Sequence, residues 1–390
     1  MKISQHPAAR LLPSPTCDPS VQTLPRGADF RSLQVRQGFP TSVDGLIDTD
    51  LPPISLHIHS FQDATVIGLA WPHFLMDGLG RAQLMKAWSL VMAGQENRVP
   101  QVSGARTDVL LSIPPVESDQ DRLFAARGFL GMTDLAKFIC RWQWERVTGH
   151  GKVVKAVYLP KANYDGLVCR IKDEVSRVET NSNEKPFISQ ADAVTGWIAQ
   201  QIALQEPRPK PVTIMNIVNC RYRIQQWLDS DCVYLQNMLM MTYTSLSAHE
   251  ACGSAAHLAL AHRSQVAKQT TQERVVGFIQ WLRNRIENGE RRMPLSGHAD
   301  STFIFVNSLA KADLITTTDF SAAVLRQGEA GETRNNPAGT MVNFFFKVVN
   351  NDIAPVHSFT VLGMDHNQGA WFVGSLTPKT WEAVEQQLSK

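Results

Sequence analysis

The residues with the clearest chemical potential lie together in the segment 73–78, His-Phe-Leu-Met-Asp-Gly. An unprotonated imidazole accepts a proton from an alcohol, so His73 is a candidate general base. Asp77 follows four residues later, and we expect its carboxylate to hold the local architecture rather than to take the proton. Gly78 supplies the permissive backbone of a tight turn. A histidine beside an apolar strand is also a common core residue, so both interpretations of His73 stand at this point.

The elements around this segment would place His73 at the edge of a cleft. Residues 54–61 alternate between apolar and polar side chains, and residues 64–71 form an apolar run after a short polar turn. Both stretches are predicted strands of one hairpin. Residues 78–93 carry apolar side chains at near-helical spacing and stop at Gly94, which predicts a helix. The motif therefore spans the junction between a buried strand and a helix.

The first strand of this hairpin carries a second pair of histidines. His57 and His59 would share one face of the strand, because side chains alternate along a strand. A His-x-His pair could bind a metal, but the sequence places no third ligand near it. We therefore predict a strand face and no metal site.

Composition restricts the class of protein. The chain has 390 residues, 43% of them hydrophobic and 19% charged, which favours two folded domains over one. A net charge of +2 gives no electrostatic case for nucleic acid as a partner. The six cysteines are scattered, no secretory leader is evident, and the apolar runs are too short to span a membrane. These features favour a cytoplasmic protein with reduced thiols.

Strands and helices interleave in both halves of the sequence, which predicts an α/β fold with mixed sheets. Residues 1–50 are predicted to be mostly loop, with a weak strand near residues 33–35. A polar stretch that begins at Glu179 marks a linker, so the predicted units are residues 1–178, the linker 179–189, and residues 190–390. In the second unit, strands are predicted at residues 302–306, 340–349, 358–363 and 370–376.

The order of these features resembles the BAHD acyltransferases, especially their diverged fungal relatives in secondary metabolism. The resemblance covers about residues 54–390. Its pieces, in order, are His73-x-x-x-Asp77-Gly78, the helix after Ser189 with Trp197, the run 219–223 with the later Asn237, the segment 306–311 leading to Asp319-Phe320, and the segment 369–374. The ordered set is more specific than the six-residue motif alone.

The resemblance implies a fold and a division of roles. It implies two chloramphenicol-acetyltransferase-like domains with an active-site channel between them. His73 would deprotonate the acceptor, and Asp77 would point away from the substrate and pair with an arginine. Arg221 is the first candidate for that partner, and Arg223 is the second. The resemblance also implies no resident cofactor or metal, with acetyl-CoA or another acyl-CoA as co-substrate.

The remaining site residues follow from the same resemblance. Asn307 and Ser308 lie where the CoA arm passes in the family, and we expect them to contact the pantetheine. The implied reaction is O-acetylation of a small-molecule alcohol, such as a fungal terpenoid, by a monomeric enzyme. The alternatives are N-acylation, transfer of a longer acyl group, or a non-catalytic binding protein of the same fold.

The sequence also departs from the family pattern. Plant members carry Asp-Phe-Gly-Trp-Gly, whereas this chain has Asp-Phe-Ser-Ala-Ala at residues 319–323. This difference weakens the assignment to a subfamily more than the assignment of the activity. Pro72 stands where peptide-synthetase condensation domains carry a second histidine, which argues against that branch. The segment before residue 54 is short for the family, and the two alternatives are a naturally shortened N-terminal domain or an incomplete N-terminus.

Overall fold

The fold is α/β, as the sequence predicts. A computed structural model describes residues 1–24, 28–114, 129–147, 151–178, 186–290, 295–328, 331–333, 336–346 and 357–389. The described strands are β1 (Ser20–Thr23), β2 (Ser55–Ser60), β3 (Thr65–Ala70), β4 (Gln101–Ser103), β5 (Val153–Leu159), β6 (Val212–Asn219), β7 (Cys232–Tyr234), β8 (Leu239–Leu246), β9 (Thr302–Ser308), β10 (His357–Met364) and β11 (Ala370–Leu376). The described α-helices are α1 (Ala28–Gln34), α2 (Val43–Ile47), α3 (Gly78–Met92), α4 (Met132–Val147), α5 (Lys161–Ser176), α6 (Gln190–Leu204), α7 (Ala248–Ala251), α8 (Ala255–Gln269), α9 (Gln272–Glu287), α10 (Leu314–Thr317) and α11 (Pro378–Leu388).

The largest sheet among the described residues is mixed and has seven strands, in the order β1–β5–β11–β10–β9–β6–β8. Strand β9 runs parallel to both of its neighbours, β6 and β10, and the other pairs are antiparallel. Strands β1 and β5 precede the predicted linker, whereas the other five follow it. Both predicted units therefore contribute to one sheet. Residues 179–185 of that linker lie outside the described residues.

The main core lies on one face of this sheet, where α5, α6, α8 and α11 cover it. Period-two alternation along β9 explains the division between the faces. Ile304 points into the main core, and the neighbouring Phe303 packs against Phe138 of α4 in a separate cluster. Trp197 of α6 and Trp381 of α11 are fully buried in the main core, so the sheet is anchored by large apolar side chains.

The segment that carries the motif is built from β2, β3 and α3. The two strands form an antiparallel pair, and α1 packs closely across β3. A Cβ atom on Gly68 would lie 2.3 Å from the carbonyl oxygen of Leu33, so glycine permits this approach. The predicted strand near residues 33–35 is wrong, because residues 33 and 34 lie in α1.

The strand predicted at 340–349 is not present over residues 341–346, which are neither helix nor strand, and residues 347–349 lie outside the described residues. Among the helices that the structure describes, none is long and apolar enough to cross a bilayer.

Candidate active site

His73 lies in the turn between β3 and α3, and its exposed side chain is part of the wall of a cavity of about 3350 Å³. The backbone of this turn is held from two sides. The Asn237 side-chain amide donates a hydrogen bond to the carbonyl oxygen of His73 at 2.8 Å. The indole of Trp71 donates to the carbonyl oxygen of Met76 at 3.2 Å. The imidazole therefore reaches the cavity from a fixed backbone.

Asp77 is buried and serves as the N-cap of α3. Its Oδ1 atom accepts hydrogen bonds from the amides of Leu79 at 3.1 Å and Gly80 at 2.9 Å. Its Oδ2 atom accepts from Nη1 of Arg221 at 2.8 Å and from the amide of Met238 at 3.1 Å. A carboxylate offers about four acceptor positions, and these four donors occupy them.

Arg221 joins Asp77 to the second half of the chain. Its side chain is 10% exposed and that of Asp77 is 0% exposed, so the ion pair is buried. The Nη2 atom also donates to the carbonyl oxygens of Tyr234 at 3.0 Å and Gln236 at 2.6 Å. Arg223, the second candidate partner, instead donates to the carbonyl oxygen of Asn219 at 3.2 Å, and burial lowers its pKa. The structure thus pairs Asp77 with Arg221.

The two glycines at the start of α3 are required for space rather than for backbone conformation. Gly78 is not among the described glycines with positive φ. A Cβ atom on Gly78 would lie 2.5 Å from Cδ2 of Leu309, a flexible side chain. A Cβ atom on Gly80 would lie 2.1 Å from the carbonyl oxygen of Leu235, which is backbone. The expected permissive turn at Gly78 is therefore replaced by close packing at both positions.

Asn307 and Ser308 end strand β9, next to the parallel strand β10. Both residues belong to the cavity wall. Asn307 is half-buried and Ser308 is exposed. The wall also includes Asn219 and Arg223, so it takes residues from both sides of the predicted linker.

The two histidines of β2 contact each other and the backbone of α1. The rings of His57 and His59 have centroids 4.2 Å apart, and Nε2 of His59 is 3.1 Å from the carbonyl oxygen of Ser32. No group of three or more metal-ligating side chains occurs among the residues that the structure describes.

The model of the Transferase family, which comprises the BAHD acyltransferases, matches residues 34–320. The chain belongs to this family. It is therefore a BAHD-like acyltransferase.

Curated relatives of this BAHD-like enzyme come from fungi. Acetyltransferase BOT5 of Botryotinia fuckeliana is 27% identical, and the match covers 99% of this chain and 74% of the relative. O-acetyltransferase PaAT-2 of Phomopsis amygdali is 25% identical, with 100% and 80% covered.

Among solved structures, TRI101 of F. graminearum complexed with coenzyme A and T-2 mycotoxin has a TM-score of 0.59 at 14% identity. This match covers 86% of the BAHD-like chain and 67% of TRI101, and it shows a shared fold.

Several residues that shape the motif of this BAHD-like enzyme carry little sequence signal of their own. The amide of Met238 and the carbonyl oxygens of Tyr234 and Gln236 act through the backbone, so side-chain type does not reveal them. Gly80 is the third residue of α3, and a glycine within a helix is unfavourable by up to about 1 kcal/mol relative to alanine. A glycine at this position is therefore a sequence signal for close packing.

Proposed function

We propose that the protein transfers an acetyl group from acetyl-CoA to a hydroxyl of a fungal secondary metabolite such as a terpenoid. The observation that carries this proposal is the position of His73, whose exposed side chain faces a large cavity from a fixed backbone. The names of the fungal relatives, an acetyltransferase and an O-acetyltransferase, support the acetyl group and the oxygen acceptor. The structure of TRI101 complexed with coenzyme A and T-2 mycotoxin supports a small-molecule acceptor.

His73 acts as the general base in this proposal. Its imidazole takes the proton of the acceptor hydroxyl while the oxygen attacks the thioester carbonyl carbon. The resulting tetrahedral oxyanion collapses, the carbon–sulfur bond breaks, and an ester forms. The departing thiolate receives the proton from the imidazolium, so His73 returns to its neutral form. No covalent bond to the enzyme is made.

Asp77 and Arg221 position the base and do not touch the reacting atoms. The four donors around the Asp77 carboxylate leave it no acceptor position for the cavity. Arg221 fixes that carboxylate, which caps α3, and Gly78 lets the helix start against Leu309. The pair therefore determines where the turn with His73 lies.

Asn307 and Ser308 contact the pantetheine arm of the donor in this proposal. Their place at the end of β9, on the cavity wall, supports this role because the amide and hydroxyl can form hydrogen bonds with the amides of the arm.

We also propose that residues 1–178 and 190–390 act as two units around the cavity, and that the enzyme is a monomer.

The test is thiol release from acetyl-CoA in the presence of a panel of terpenoid and polyketide alcohols. We expect His73→Ala to lower turnover by about 10²- to 10⁴-fold while the protein remains folded. His249→Ala is the matched control, because this exposed histidine lies outside the cavity wall, and it should leave turnover unchanged.

The same assay separates the alternatives. Amines and longer acyl-CoA donors are included because a cavity of about 3350 Å³ has room for them. Full turnover in His73→Ala would refute the mechanism. Folded protein that binds CoA but releases no thiol with any acceptor would favour the non-catalytic binding protein.

A further inference from the structure

Arg81 is a buried cation that the proposed mechanism does not use. It lies on α3, four residues after Asp77, and it is part of the cavity wall while only 7% exposed. Its Nε and Nη2 atoms are buried and have no hydrogen-bond partner among the described residues. Such an arrangement is rare, because buried charges are normally paired.

The surroundings of Arg81 are apolar and aromatic. Its Cζ atom lies 4.6 Å from the ring centroid of Phe344 and 5.7 Å from that of Trp71. These contacts compensate part of the cost of burying the charge. Met85 and Trp88, on the same helix, also belong to this stretch of cavity wall. Burial lowers the pKa of Arg81 to about 10, so the guanidinium is still charged at neutral pH.

The two unpartnered nitrogen atoms of Arg81 determine which ligand group can bind there. Nε and Nη2 share one edge of the planar guanidinium, and their N–H bonds point in parallel. This geometry matches the two oxygens of one carboxylate in a bidentate pair. One positive charge in apolar surroundings also favours a single negative charge, because a phosphate dianion would leave an uncompensated charge in the same place.

We propose that Arg81 binds a carboxylate of the acyl acceptor, which makes the acceptor an apolar alcohol that also carries a carboxylic acid. The inference rests on the proposed function for the role of the cavity as the acceptor site. Phe344 lies in a segment, 341–346, that is neither helix nor strand, so its side chain yields to a ligand more easily than one in the sheet.

The test compares two probes of the same shape, 1-adamantanecarboxylate and 1-adamantanecarboxamide, by isothermal titration calorimetry at neutral pH. We expect the wild-type protein to bind the carboxylate at least about 10-fold more tightly than the amide. Arg81→Met should remove this preference. Arg98→Met is the matched control, since Arg98 is exposed and outside the cavity wall, and it should keep the preference.

A second measurement separates ligand binding from a structural role. If Arg81 serves a ligand, the free protein loses an unpaired buried charge in Arg81→Met, and its urea midpoint rises. If Arg81 serves the fold, the midpoint falls, which overturns the proposal. Equal affinities in the wild type, no binding of the carboxylate, or a preference that persists in Arg81→Met would also overturn it.

These measurements need no acyl donor, so their outcome is independent of the thiol-release assay. Loss of turnover in His73→Ala together with equal affinities for the two probes would leave the transfer reaction in place and reject the carboxylate. The reverse result would keep the carboxylate site and reject the transfer.

Discussion

Removal of the Asp77 carboxylate is the most informative perturbation of the motif. The substitution Asp77→Ala deletes the partner of Arg221 and leaves a buried guanidinium without its counter-charge. Breaking one side of a buried ion pair costs about 3–5 kcal/mol of the free energy of unfolding. About 1 kcal/mol of that loss comes from the helix cap that the same carboxylate forms. We therefore expect the variant to be poorly folded as well as inactive.

Two further variants divide the effect into its parts. Asp77→Ser keeps a capping oxygen but not the charge, so it should be about 1 kcal/mol more stable than Asp77→Ala. Asp108→Ala is the matched control, because Asp108 caps a short 3₁₀ helix by accepting from the amide of Leu110 at an exposed site. Its loss should cost about 1 kcal/mol or less. Each free energy is measured by urea unfolding followed by circular dichroism.

The double variant Asp77→Ala with Arg221→Met removes both partners of the ion pair. Because it removes the orphaned charge, it should be more stable than Asp77→Ala alone. A stabilising buried ion pair between Asp77 and Arg221 is contradicted if Asp77→Ala costs no more than Asp108→Ala, or if the double variant is as unstable as the sum of its two single variants.

Three further predictions concern the packing, the turn and the pH dependence. Gly80→Ala places a Cβ atom 2.1 Å from a backbone carbonyl oxygen, so it should lower the free energy of unfolding by about 1–3 kcal/mol. Gly131→Ala meets nothing within 4 Å and should leave the free energy of unfolding unchanged. Asn237→Ala frees the carbonyl oxygen of the proposed base, so thiol release should slow about 10-fold while the far-ultraviolet spectrum stays unchanged. Burial lowers the pKa of His262 to about 4, so the unfolded chain takes up a proton first as the pH falls. The contribution of His262 to stability should drop by up to about 3 kcal/mol between pH 6.5 and 4, and His262→Gln should reduce the fall of the urea midpoint across that range.

The sequence predicted the elements around the motif well. The stretches predicted at 54–61, 64–71 and 78–93 correspond to Ser55–Ser60, Thr65–Ala70 and Gly78–Met92. Their apolar periodicity is strong, and Gly94 marks the end of the helix. The first 50 residues were predicted poorly, because β1 exists through its pairing with β5, which is more than 130 residues away. Pairing over such a distance leaves no local pattern in the sequence.

The sequence likewise predicts some contacts of the candidate site and does not reveal others. The order of the motifs, rather than any local spacing, suggested that Asp77 pairs with an arginine at position 221, and the structure brings the two together. The backbone groups that complete the carboxylate's hydrogen bonds have no signature in side-chain type. Arg81 was not recognised from the sequence, because only the packed structure reveals that a charged residue on α3 is buried without a partner.

The hydrogen-bond partners of Asp77 lie far along the chain, and this separation affects folding during synthesis on the ribosome. The carboxylate bonds to Arg221 and Met238, which are 144 and 161 residues further along the chain. At about 5–20 residues per second, roughly 10–30 s separate the emergence of the histidine motif from that of its last partner. During this interval the helix cap can form, but the turn that aims the imidazole cannot be completed. The nascent chain therefore carries the proposed base in an incomplete turn, and we expect acyl transfer to begin only after the second half has joined the first.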